Sequence, residues 1–101
     1  MDKKVTEIAS LYAQEVRKRL PVKMIILFGS RVKGKSTKSS DIDIAVVVDR
    51  FTGDYLKTSA ELFNLVRHVD KKIEPVLLSM NNDKSGFLER IIKEGKIIYS
   101  E

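Results

Sequence analysis

No cysteine occurs in the 101-residue chain, so disulfides and thiolate metal sites are excluded, and a single histidine, His68, rules out an imidazole-rich metal site within one chain. Any metal has to sit on carboxylates. No apolar run approaches the roughly 20 residues that a membrane-spanning helix needs. Met1-Asp2-Lys3-Lys4 leads into a charged, periodic segment where a signal peptide would be unbroken and apolar. These absences predict a cytoplasmic protein with no membrane association. Internal repeats, linkers and low-complexity tracts are also missing. What remains is 43% hydrophobic and 33% charged, a globular balance, and the length predicts one domain over residues 1–101 with a single core. A net charge of +5 favours an anionic partner such as a nucleotide or a nucleic acid.

Periodicity supplies the elements. Val5, Ile8, Ala9, Tyr12, Val16 and Leu20 recur at three- and four-residue spacing, which predicts an amphipathic helix from Lys3 to Arg19, stopped by Pro21. Lys23–Phe28 and Ile42–Val48 are short apolar runs rich in branched residues and read as buried central strands. Asp54 can cap a second helix to about Val69, with Leu56, Phe63, Val66 and Val69 on its inner face. A third strand follows at Ile73–Ser79. Asn81-Asn82-Asp83 begins another helix, whose Phe87, Leu88, Ile91 and Ile92 face inward and whose Gly95 stands where a helix end favours a left-handed residue. Lys96–Tyr99 reads as a final edge strand. The expected class is α/β or α+β, a mixed sheet of four strands flanked by helices.

The Gly/Ser/Lys-rich segment between the first two strands carries the chemistry, and it can be read in two ways. Gly29 to Ser36 spells GxxxxGKS, a phosphate-binding P-loop, and Gly29-Ser30 with Asp41-Ile42-Asp43 spells a GS…DxD site. A P-loop opens a helix that crosses back to a parallel strand, which takes at least about 10 to 12 residues. Only residues 37–41 separate Ser36 from the second strand, and Ser39-Ser40 is poor helix material. An antiparallel pair suits the second reading, because the end of the first strand then lies beside the start of the next. Asp41 and Asp43, at i and i+2 on extended chain, direct both carboxylates to one face while Ile42 and Ile44 point into the core. Hard oxygen ligands held that close suit Mg²⁺. Without a cation the two charges repel, which raises a pKa or destabilises the strand.

The run GSRVKGKSTKSSDIDIAVVV resembles GSxxxGxxxxxSDxDxxV, the signature of minimal nucleotidyltransferases within the DNA polymerase β-like superfamily, and the order of elements extends the likeness over most of the chain. The resemblance implies a nucleotidyltransferase fold and Mg²⁺-dependent transfer of a nucleoside monophosphate, AMP from ATP, onto a hydroxyl. It implies that Gly29, Ser30, Arg31 and Ser40 hold nucleotide phosphates, with Lys33 an alternative to Arg31 at the leaving pyrophosphate. Asp41 and Asp43 would bind two metal ions. The family's third carboxylate, a metal ligand and base on a following strand, falls on Glu74, where a glutamate replaces the usual aspartate; Pro75 keeps Glu74 extended. Minimal nucleotidyltransferases resemble the antitoxin half of toxin–antitoxin pairs, so the implied partner is a helical HEPN protein with an acceptor tyrosine. A degenerate antitoxin acting by contact alone is the alternative. Lys33, Lys35 and Lys38 raise nucleic-acid binding as a third reading, but the aromatics that stack on single strands are not interleaved among them.

Overall fold

The computed structural model describes residues 3–33, 41–51, 53–83 and 85–101. Its elements run α1 (Lys3–Arg17), β1 (Met24–Phe28), α2 (Ser30–Lys33), β2 (Ile42–Val48), α3 (Tyr55–Val66), β3 (Ile73–Ser79), α4 (Phe87–Glu94) and β4 (Lys96–Ser100). The four strands form one mixed sheet in the order β3-β2-β1-β4. β1 is antiparallel to both β2 and β4, and β2 is parallel to β3.

Both faces of the sheet are covered, which explains why the central strands are apolar on both sides except at Asp43. Ile42, Ile44 and Val46 of β2 join Ile25 and Leu27 of β1 beneath α1 and α3. The alternate residues Ala45 and Val47 join Ile26 beneath Leu88 and Ile91 of α4. Strand alternation thus divides one run of residues between two cores. Burying each large aliphatic chain stabilises the fold by about 1.5–3 kcal/mol. Tyr12 lies at the centre of the larger core, fully buried, and its hydroxyl donates to the Leu62 carbonyl at 2.7 Å, tying α1 to α3.

Several expectations need correction. α1 ends at Arg17, not Arg19; the amides of Arg19 and Leu20 both bond the Val16 carbonyl, because Pro21 excludes a further helical turn. The inner face of α3 is Leu62, Leu65 and Val66, with Val69 just beyond, while Leu56 and Phe63 are 75% and 51% exposed. The sequence holds two apolar stripes at seven-residue spacing, and Tyr12 engages the one containing Leu62. Gly95 is extended, at φ −88° and ψ −177°, instead of left-handed. Its constraint is space: a Cβ there would meet the Ile91 and Leu27 carbonyl oxygens at 2.6 and 2.7 Å. Asp54 does cap α3, accepting from the Leu56 and Lys57 amides at 2.9 and 3.3 Å. Asp83 bonds the Leu88 and Glu89 amides in the first turn of α4 at 2.9 and 3.0 Å.

The parallel ladder fixes how the edge strand β3 is presented. The Ile42 amide donates to the Lys72 carbonyl and the Met80 amide to the Val48 carbonyl, each at 2.8 Å. In a parallel register this turns the backbone groups of even-numbered β3 residues toward β2 and those of odd-numbered ones, Pro75 among them, outward.

Candidate functional site

The register gathers the acidic residues at one end of the sheet. Phe28 pairs with Asp43 across the antiparallel β1–β2 ladder, and Asp43 pairs with Glu74 across the parallel β2–β3 ladder. Gly29, Asp43 and Glu74 therefore lie side by side on three consecutive strands or strand ends. Asp41 sits just before β2, two residues from Asp43 and on the same side by alternation. The antiparallel β1–β2 pairing is also incompatible with a P-loop, which requires a parallel crossover between those strands.

Asp43 is the half-buried member of the group, with Asp41 and Glu74 exposed. Burial, then the charge of Glu74, then that of Asp41 push its carboxyl above the usual aspartate range. Adjacent charges of one sign and a carboxylate withdrawn from water create a demand for a cation, and the donors are the hard oxygens that Mg²⁺ selects. Asp41 and Asp43 fit that ion. The third ligand is less complete: among the described residues, no three histidine, aspartate or glutamate side chains are gathered as a metal cluster.

Gly29 is left-handed, at φ +84°, and a Cβ on it would fall on the Asp43 carboxylate oxygen Oδ2. The glycine thus admits the aspartate to the turn, a role additional to the phosphate contact that the resemblance implies. Ser30 opens α2 directly after it. Arg31 lines a different hollow, with Lys4, Ile42, Asp70 and Lys72, and none of the three acidic site residues lines that hollow. Ser40, Gly34, Lys35 and Lys38 lie outside the described residues, as does the side chain of Lys33.

Sequence reasoning did not find the wall opposite the carboxylates. A hollow of about 330 Å³ opens beside Gly29 between the end of β1 and α4, lined by Phe28, Phe87, Arg90, Ile91 and Glu94. Phe28 and Phe87 meet edge to face at 5.7 Å, and the Arg90 guanidinium lies 5.6 Å from the Phe87 ring centre. The inward position of Phe87 was legible from periodicity. Its meeting with Phe28 was not, because it depends on where α4 crosses the sheet.

Known proteins resemble this chain in sequence and fold. A candidate protein adenylyltransferase of Methanocaldococcus jannaschii is 28% identical over 93 residues, which cover 92% of each chain. A crystal structure of a candidate nucleotidyltransferase from Sulfolobus solfataricus superposes with a TM-score of 0.71 at 20% identity, over 97% of this chain and 82% of that one. A toxin–antitoxin crystal structure with AMP-PNP contains a chain that superposes with a TM-score of 0.68 at 25% identity, over 91% of this chain and 73% of that one. Residues 10–101 match the family described as "Polymerase beta, Nucleotidyltransferase", so that sequence and fold agree: this chain is a nucleotidyltransferase and belongs to that family.

Proposed function

We propose that the chain transfers AMP from ATP, with Mg²⁺, onto a tyrosine hydroxyl of a helical HEPN-type protein and thereby acts as its antitoxin. The observation that carries this reading is the register placing Gly29, Asp43 and Glu74 on adjacent strands, with Asp41 two residues away. Mg²⁺, when bound, would align the attacking oxygen and stabilise charge at the α-phosphate. Asp41 and Asp43 hold the metal, and Glu74 receives the proton of the attacking hydroxyl while completing the ligand set. Gly29, Ser30 and Ser40 orient the phosphates. Arg31 is assigned to the leaving pyrophosphate by the resemblance alone, since the hollow it shares with Lys4, Asp70 and Lys72 is not the one beside the carboxylates. In the transfer, the acceptor oxygen bonds to the α-phosphorus, the bond from that phosphorus to the bridging oxygen breaks, and pyrophosphate departs.

The M. jannaschii relative and the toxin–antitoxin structure with AMP-PNP support a protein acceptor and an adenine nucleotide. The test is to incubate the chain with its neighbour-encoded helical partner, ATP and Mg²⁺ and to measure intact masses. A gain of one AMP on the partner is expected, lost when that partner's acceptor tyrosine becomes phenylalanine. An unmodified partner that is nevertheless neutralised would sink the transfer reading. That outcome matches the second reading, an antitoxin acting by contact alone, which the glutamate at position 74 in place of the family's usual aspartate motivates.

A further inference from the structure

We infer that the hollow between β1 and α4 is the seat of the nucleobase, with Phe87 as the stacking platform and Arg90 as the group that closes over the ring. This deepens the nucleotidyl-transfer reading and rests on it. Gly29 belongs to both places: it lines the hollow, and it abuts the Asp43 carboxylate. A nucleotide with its α-phosphate at Asp43 therefore has its ribose and base within reach of the hollow. The volume of about 330 Å³ is at the lower end of small-molecule sites, which run from about 300 to 1,000 Å³.

The distribution of aromatic residues leads to the same place. Bases stack on aromatic faces and on guanidinium planes. The chain has four phenylalanines, three tyrosines and no tryptophan. Tyr12 is sealed in the core, Phe63 lies on the outer side of α3, and Tyr99 is already covered by Arg17 at 3.8 Å. Phe51 and Tyr55 pair with each other beyond the carboxyl end of β2, away from the acidic residues at its amino end. Phe28 and Phe87 remain, both half-buried and both beside Gly29. Arg90 stands over the Phe87 ring at 5.6 Å, looser than the 3.8 Å cover of Tyr99, and is itself exposed. A base can therefore stack on Phe87 by moving the guanidinium outward to cover it, without a change of fold.

The experiment compares a ligand with a base against one without. ATP and inorganic tripolyphosphate are titrated calorimetrically, each with Mg²⁺, into the full chain and into its Phe87→Leu and Arg90→Ala variants. Leucine retains most of the packing of Phe87, and Arg90 is exposed, so both variants should melt close to the parent temperature. The parent is expected to bind ATP more tightly than tripolyphosphate. Each variant should lose ATP affinity on the order of tenfold while tripolyphosphate is unchanged, as removal of one stacking contact implies. Variants that keep the full preference for ATP, or that weaken both ligands alike, overturn the base site. So does a parent that binds the two equally, although the nucleotidyl-transfer reading would survive. A parent that binds neither overturns that reading, and this inference with it.

Discussion

Gly29 carries two constraints, a left-handed backbone and contact with the Asp43 carboxylate, and alanine violates both. Gly29→Ala should cost about 1–3 kcal/mol for the backbone alone. It should also displace Asp43, so the variant is expected to lose the stabilisation given by Mg²⁺ with nucleotide as well as parent stability, measured by thermal melts with and without ligand. Tyr12 gives a prediction in pH. Burial raises its folded pKa above the unfolded value of about 10. The neutral phenol therefore contributes its full stabilisation below pH about 10, and that contribution is lost as pH rises from there toward the folded value. Tyr12→Phe removes a hydrogen bond worth about 0.5–1.5 kcal/mol at neutral pH. Urea denaturation at pH 8 and at pH 10.5 should show the variant losing less stability between the two than the parent.

At the scale of elements, local chemistry made the strands legible and packing decided the rest. Ile42–Val48 and Ile73–Ser79 have the bounds that their apolar runs predicted, because few polar residues interrupt them. The resemblance put the third carboxylate on Glu74, and the parallel ladder reached by the right-handed strand–helix–strand crossover sets it beside Asp43. Val66 and Val69 were rightly placed on the inward face of α3, but Leu56 and Phe63 were not, because periodicity cannot choose between two stripes that α1 distinguishes by contact. The reason for Gly95 was also misassigned, because close approach of Leu27 is not written in the neighbouring sequence. The cap of α3 was plain, and it is testable. Asp54→Ala should cost about 1 kcal/mol, read as a fall in melting temperature of about 4–8 °C for a chain of this size.

For the whole molecule, the acidic end of the sheet couples ligand binding to stability. Asp41→Asn combined with Asp43→Asn removes mutual repulsion while nearly preserving side-chain size, so the unliganded fold should be unchanged or slightly more stable. The parent should gain about 2.7 kcal/mol at a ligand concentration near one hundred times Kd, and the double variant should gain nothing. A double variant that keeps the ligand-induced shift in its melting curve would make the pair structural. The outward turn of Pro75 has a consequence for life in a crowded solution. An edge strand is a template on which another chain can grow a sheet, and this one lacks a hydrogen at the place where such growth would need a donor. Pro75→Val would supply that hydrogen, and light scattering at rising concentration should then detect self-association that the parent resists. One imino acid beside Glu74 thus both holds the acidic residue extended and, itself buried, leaves the outer edge of the sheet without a donor at that point.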